Sequence, residues 1–396
     1  VSELLPLETA QQRLFDMALP MAAEPIETRL ASGRYLAENI NAARTQPAHD
    51  LSSLDGYAIS GDGPWRVIGE SRAGSPFDGS IEANQAVRIS TGAWIPHGSD
   101  RVLIQENAAL SDGELTITCD PPEAGQYIRR AGFDFSYGDQ VLQKGTLMGA
   151  PQIALALSAG HNTIQISRRP RVALIECGDE LAKSANECAT NQIPASNNAM
   201  IAALAEPLVS EINLIGPVAD TMEEMIAALD AAGSAEIIVT SGGASVGDHD
   251  LVRPALEEWG AEIDFWKIAI KPGKPLLVAR KNKQMIIGLP GNPVSSYVTA
   301  FLFLLPLLRQ FAGATTAKPS GHSARITADI APGGTRREFL RAIWDGNSIC
   351  PIDEQDSSAL LALSRANALI ERPEHCRRTK AGTDVPFYLL QNGGIA

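Results

Sequence analysis

Three segments of the chain combine glycine with hydroxyl and acidic side chains in the way an oxyanion site requires. They are Gly178-Asp179-Glu180, Ser241-Gly242-Gly243-Ala244-Ser245-Val246-Gly247-Asp248-His249-Asp250, and Leu289-Pro290-Gly291-Asn292-Pro293-Val294-Ser295-Ser296. The third has a definite mechanism. Asn292 suits a helix cap, Pro293 the first helical position, and Ser295 and Ser296 put hydroxyls in the first turn. Free N–H groups and the positive end of the helix then favour an anion. Residues 242–247 can turn several N–H groups toward one oxyanion in the same way. No Gly-Lys-Ser/Thr follows either segment, so neither is a Walker A loop. One glycine loop is only a turn; three on successive strand ends favour a phosphate or oxyanion site.

Lys267, Lys271 and Lys274 lie close together in a stretch stiffened by Pro272 and Pro275. Alone they describe a solvated cationic loop. In an acidic chain, beside two candidate anion cradles, they point to a local positive pocket. Asp179, Glu180, Asp220, Asp248 and Asp250 supply the opposite charge at or just beyond predicted strand ends. A hard cation such as Mg²⁺ commonly bridges one or two carboxylates to phosphate oxygens. Any one of these acids alone reads as a helix cap or a surface charge, and that reading stands beside the metal one.

The elements that must position these residues follow from periodicity. Residues 170–312 alternate strands and helices: strands at 171–177, 211–215, 236–240, 275–279 and 285–288, helices near 198–205, 222–229, 251–259 and 293–309. Strands apolar on both faces imply a parallel sheet covered on both sides, with ligands at its carboxyl edge. Leu4, Leu7, Ala10, Leu14 and Met17 share one helical face, so an amphipathic helix opens the chain. Short β-prone runs between Gly-, Pro- and Asp-rich turns make 43–145 a β-rich unit, and after a linker at 318–323 the last residues return to short strands.

Composition narrows the classes. A length of 396 predicts more than one domain, and a net charge of −13 (33 basic, 46 acidic residues) argues against a nucleic-acid partner. Five cysteines without a CxxC pair and six scattered histidines without HExxH make a disulfide framework or a structural zinc site a poor reading and suit a reducing cytoplasmic compartment. The longest apolar run, 298–308, is short of the roughly 20 residues that span a bilayer, and the N-terminus lacks signal-peptide character, so no membrane partner is expected.

The ordered motifs resemble one family. They are Leu54-Asp55-Gly56-Tyr57-Ala58, Arg88-Ile89-Ser90-Thr91-Gly92-Ala93, Gly178-Asp179-Glu180-Leu181, Ser241 to Gly247, Lys271-Pro272-Gly273-Lys274-Pro275 and Gly288 to Ser295. Arg336 to Arg341, Ser357-Ser358 and Ala366 to Ile370 extend the match over nearly the whole chain. In this order they are similar to bacterial molybdopterin molybdenumtransferases and to the C-terminal domain of gephyrin. The resemblance implies insertion of molybdenum from molybdate into adenylylated molybdopterin, with Mg²⁺-dependent hydrolysis and release of AMP. It implies a multidomain α/β fold with a three-layer α/β/α domain, its sheet mostly parallel (1–21 and 170–315), and an elongated dimerisation segment (22–42 and 136–169). A β-rich insertion (43–135) and a small β-barrel-like C-terminal domain (316–396) complete the expected fold. A cytoplasmic homodimer with sites shared between subunits, supplied by an upstream molybdopterin adenylyltransferase, is also implied.

By the same resemblance, Glu180, Asp220 and Asp250 match metal and phosphate-side acids. Lys271, Lys274, Pro275, Arg341 and one of Ser357 or Ser358 match a molybdate pocket. Lys267 and Lys271 would screen the pyrophosphate, cradled by Gly242, Gly243, Ser245 and Gly247, with the turn Gly291, Asn292, Pro293 and Ser295 beside them. Asp55, Thr91 and Asp134 match positions in the β-rich half that face the other subunit's α/β domain. Two departures stand out. Glu176-Cys177 replaces the usual Ser-Thr, so an acid either weakens anion binding there or points into solvent, while Cys177 is a buried or a reactive thiol. Ala195-Ser196-Asn197 lacks the usual acid at its first position. Two other readings are an adenylyltransferase, which lacks the insertion and the C-terminal domain, and a gephyrin-like scaffold without turnover. A sugar or nucleotide kinase fits the composition but has no matching phosphate motif.

Overall fold

The computed structural model describes residues 4–243 and 251–390. Its centre is a six-stranded sheet in the order Glu211–Val218, Arg171–Cys177, Ile237–Ser241, Gln284–Leu289, Leu277–Lys281, Glu262–Trp266. The first four strands are mutually parallel; Leu277–Lys281 is antiparallel to both its neighbours, which turns Glu262–Trp266 back to the common direction. Alternation builds two cores from one strand. Val172 and Leu174 enter the layer beneath the first helix, while Ala173 and Ile175 enter the opposite layer with Met225, Leu229 and Leu256. The expectation of strands covered on both sides fails at one edge, where Glu211–Val218 pairs with a single neighbouring strand and exposes Leu214 at 58%.

The helix Pro293–Phe311 runs through the middle of the first layer and is almost wholly buried. It is longer than the apolar run read from the sequence, and its apolar character serves the core. A π turn spans Ala300–Leu304 just before Pro306. Proline has no N–H, so the carbonyl of Leu302 loses its usual partner four residues on. Buried Gln11, on the opening helix Leu7–Met17, donates Nε2 to that oxygen at 2.8 Å. This bond, with those from Arg13 to Asp264 of the strand Glu262–Trp266, ties the N-terminal helix to the α/β core while its apolar face (Leu7, Ala10, Leu14) packs there.

Between the first helix and the sheet, the chain makes a long excursion. Ala23–Glu27 pairs antiparallel with Thr163–Ser167, and Ile40–Asn41 with Gln140–Leu142, so outgoing and returning segments run side by side. Beyond them lies a six-stranded sheet in the order Arg101–Ile104, Gly56–Ile59, Gln85–Ile89, Trp65–Ser71, Glu114–Ile117, Ala108–Ser111, around buried Trp65, Ile59 and Leu115. The C-terminal strands close on themselves, because Arg337–Trp344 pairs with both Ser348–Pro351 and Ala368–Arg372, giving a small barrel. The linker expected at 318–323 is shorter, since the first barrel strand starts at Gly321. Ile270–Lys271, from the lysine stretch, adds to this barrel alongside Arg337–Glu338. The barrel is thereby fastened to the loop that carries the candidate cations.

Candidate functional site

Register places Ile175, Thr240, Gly288, Leu277 and Trp266 in one row across the sheet. The loops that follow Ile175, Thr240 and Gly288 of this row converge on a cleft of about 80 Å³ lined by Glu176, Glu180, Ser196, Asn197, Ser241, Gly242, Gly291 and Pro293, among others; the lysine stretch after Trp266 does not line it. Sequence-predicted Glu180, Gly242, Gly291 and Pro293 are thus brought together. Gly242 has φ of +93°, and a Cβ there would collide with the carbonyl oxygen of Cys177. A Cβ on Gly291 would lie 3.4 Å from the Cα of Gly242, so the two loops meet backbone to backbone. Side chains at both positions would fill the cleft.

Glu176 corrects an expectation. It neither faces solvent nor offers its charge to the cleft: it is 3% exposed, and its two carboxylate oxygens accept the N–H groups of Asn197 and Asn198, each at 3.0 Å. Those are the opening N–H groups of the helix Asn197–Ala205, which otherwise has no side-chain cap. Asn197 in turn donates Nδ2 to Ser241 Oγ (2.9 Å) and Gly291 O (2.7 Å), while Asn198 donates to Leu174 O and Ile215 O. One buried carboxylate therefore sets an asparagine that stitches two cleft loops together. Ser241 opens the second glycine segment and Asn197 ends the Ala195-Ser196-Asn197 motif, but neither is assigned a role at the site from the sequence. Cys177 is buried, with Sγ 3.9 Å from Met225 Sδ.

The acids divide. Asp179 and Asp220 accept each other's backbone N–H groups, at 3.0 and 3.3 Å, which ties the loops after two neighbouring strands to each other. Exposed Glu180 folds its carboxylate back over Gly178. Among the described residues no three His, Cys, Asp or Glu side chains form a group able to hold a metal ion. Asp250, the third predicted metal ligand, lies outside the described residues, as do Ser245, Gly247 and Asp248. Gly243, which is described, has φ of +61°.

Two positions in the third loop behave differently from expectation. Asn292 stands at the helix N-cap position, yet its side chain makes no cap bond and instead donates Nδ2 to Ser357 Oγ at 2.9 Å. The carbonyl of Ser357 accepts the N–H of Val294, so the C-terminal unit supplies part of the cap. Ser295 and Ser296 are buried rather than presented to a ligand, and Ser296 Oγ has no hydrogen-bond partner among the described residues. Ser358 turns to Asp356 (2.6 Å), leaving Ser357 as the serine joined to the strand-end loops.

The lysines are not three free charges. Lys267, at φ +81°, holds Nζ 4.1 Å from the ring centre of Trp266. Lys271 Nζ sits 3.3 Å from Glu338 Oε1, and the same buried glutamate binds Arg372 at 2.7 Å. Lys274 is exposed and forms no ion pair among the described residues; Pro275 beside it is half-buried. Arg341, expected in an anion pocket, is 1% exposed between the barrel and the α/β core, where Nη2 donates to Glu354 O at 2.8 Å and burial pushes its pKa down. Strand alternation sets it on the face of Arg337–Trp344 that carries Phe339, paired with Leu369 against the α/β core, while Leu340 and Ala342 face the barrel interior.

Asp55 and Thr91 form a unit of their own. The N–H and hydroxyl of Thr91 donate to one Asp55 oxygen at 2.6 and 2.9 Å, which holds that carboxyl below its ordinary range. Both residues are exposed, as is Asp134. No hydrogen bond, ion pair or shared cleft among the described residues joins 43–135 to the strand-end loops. Within one chain these three are not part of the cleft.

Comparison with known proteins accounts for this layout from end to end. Residues 5–160 match the MoeA N-terminal region (domain I and II), 173–310 a probable molybdopterin binding domain, and 323–390 the MoeA C-terminal region (domain IV). A molybdopterin molybdenumtransferase of Haemophilus influenzae is 33% identical across 96% of this chain and 98% of its own. The chain belongs to the MoeA family. It is therefore an enzyme of molybdenum-cofactor biosynthesis. Another MoeA-family relative, the molybdopterin molybdenumtransferase of Staphylococcus aureus, is 30% identical over 98% of this chain and 96% of its own. A crystal structure of a molybdopterin biosynthesis MoeA protein from Pyrococcus horikoshii superposes with a TM-score of 0.86 at 25% identity, covering 98% of this chain and 100% of that one. The MoeA fold thus holds with its insertion and barrel in place.

Proposed function

We propose that this protein inserts molybdenum from molybdate into adenylylated molybdopterin, in a reaction that cleaves the phosphoanhydride with water and releases AMP. The single observation that carries this reading is the meeting of the Glu180, Gly242 and Gly291–Pro293 loops in one cleft whose third loop is bonded to Ser357 of the barrel. The relatedness to full-length molybdopterin molybdenumtransferases supports it.

In this reading the Gly242–Gly243 turn and the positive end of the helix that starts at Pro293 face the diphosphate, and the absence of Cβ atoms on the glycines allows close approach. Lys271, held by Glu338 where its strand joins the barrel, screens phosphate charge in this reading. Lys274 and Ser357 offer a cation and a hydroxyl to the tetrahedral molybdate. Mg²⁺ suits the acids here, because it commonly takes only one or two carboxylates and completes its shell with water and phosphate oxygens. Asp220 and Glu180, with Asp250, would hold it, and it would supply neutralising charge across the phosphates. Asp55, Thr91 and Asp134 complete the site from the second subunit of a homodimer, with the adenylylated substrate delivered by a molybdopterin adenylyltransferase in the cytoplasm.

The test is AMP release by the purified protein with Mg²⁺, adenylylated molybdopterin and molybdate. Release that depends on molybdate and disappears in Asp55→Ala, Glu180→Ala and Lys274→Ala, with melting temperatures kept, is the expected result. Full activity in all three variants overturns the site; activity needing only ATP and free molybdopterin makes the protein an adenylyltransferase; no turnover makes it a scaffold.

A further inference from the structure

A second concavity lies apart from the strand-end cleft, where three parts of the chain meet. It measures about 500 Å³ and draws Tyr35 and Leu147 from the elongated segment, Phe301 and Arg309 from the core helix, Lys318 from the connection, and His322 from the barrel. Its charge is one-sided: the lining holds an arginine, a lysine and a histidine and no aspartate or glutamate, in a chain whose net charge is −13. Arg309 is half-buried, donates Nη1 to Ala317 O at 3.2 Å, and forms no ion pair among the described residues. Burial pushes its pKa down, opposed only by Tyr35. Lys318 touches the Phe15 ring at 5.8 Å; the acid that feels its charge, Glu8, is already bonded to Arg337. A guanidinium taken partly out of water without a counter-ion lacks the partner that usually offsets desolvation.

The rest of the lining suits an organic body. Phe301, Leu147 and Leu389 give apolar contact, while Thr315, Thr316 and Ser320 add hydroxyls beside the cations. The approach of the elongated segment is built in: Gly145 has φ of +79°, and a Cβ there would collide with the Thr315 side chain. We propose that this cavity binds a small organic anion, a ring-sized apolar body bearing one phosphate or carboxylate, with the anion on Arg309 and Lys318 and the ring against Phe301. Such a ligand bridges the elongated segment, the core helix and the barrel, and it does not use the strand-end cleft.

Calorimetric titration of the full chain at constant ionic strength tests this with phenyl phosphate, benzoate, phenol and inorganic phosphate as probes. One-to-one binding of phenyl phosphate or benzoate is expected, with phenol silent and inorganic phosphate weaker; whichever of the two aromatic anions binds more tightly identifies the anionic group. Arg309→Gln and Lys318→Gln should each weaken binding about tenfold or more, as loss of a charge-assisted hydrogen bond does. Lys274→Ala, in the strand-end site, should leave it unchanged, which separates this cavity from the proposed catalytic one. If Arg309→Gln fails to fold, exposed Lys318 decides alone. Binding that survives Lys318→Gln undiminished, is lost in Lys274→Ala, is matched by phenol, or is absent for both aromatic anions overturns the proposal.

Discussion

At the scale of single residues, Glu176 is the side chain on which cleft geometry turns. Two N–H groups require two acceptors, and only a carboxylate at 176 supplies both. An amide offers one acceptor and sets a donor against the other N–H. Glu176→Gln is therefore expected to cost about 1–3 kcal/mol, to lower the melting temperature, and to reduce molybdate-dependent AMP release as Asn197 loosens from Ser241 and Gly291. Calorimetry and steady-state kinetics check it, and a variant equal to wild type in both would refute the role. An acid beside a strand end was legible in the sequence; its direction was not. That depended on where the helix Asn197–Ala205 begins relative to a strand some twenty residues earlier. The same holds for Arg341 and Lys271, whose types suggest anion binding but whose neighbours, Glu354 and Glu338, come from the folded barrel.

At the scale of elements, periodicity located most helices and strands of the α/β unit to within a residue or two. The strand Arg171–Cys177 and the helix Met222–Ala231 are continuous patterns that local composition dictates. What periodicity could not express is the π turn before Pro306, because its satisfaction lies on another helix. Gln11→Leu keeps the size and helix propensity but leaves the Leu302 carbonyl buried without a donor. We expect a loss of about 1–3 kcal/mol seen as a lower urea midpoint, with the AMP-release rate of the folded protein retained. An unchanged midpoint would show that the carbonyl finds another partner.

At the scale of the whole molecule, the junction of the elongated segment with the sheet is held by Glu236. Burial pushes its pKa up, but hydrogen bonds from Arg171 and Arg168 outweigh this and bring it from 4.5 to about 2. A depressed carboxylate stabilises the fold above its unfolded pKa and loses that contribution as pH falls through the folded one. Stability on the order of 2–3 kcal/mol should disappear between pH 4.5 and pH 2, and Glu236→Gln should flatten this limb of the acid-unfolding curve. A second prediction concerns assembly. If Asp55 serves the partner's cleft, mixing inactive Asp55→Ala and Lys274→Ala chains should restore roughly one quarter of wild-type activity, since half of randomly formed dimers carry one intact site. No recovery after subunit exchange would place both residues in the same chain's site.

Five of the six central strands, the helices between them, the glycine loops at their ends and an ordered motif set pointing to one family were all readable along the chain; the edge strand Glu262–Trp266 was not. These are local properties: periodicity, turn chemistry and residue identity need no knowledge of distant neighbours. Which charges are committed depends instead on the folded neighbours. Glu176 capping a helix, Lys271 held by Glu338, Ser357 taking Asn292, and the cationic cavity around Arg309 all arise where segments far apart in the chain come into contact. A side chain's charge is fixed by its type, but whether that charge is satisfied is fixed by what the fold sets against it.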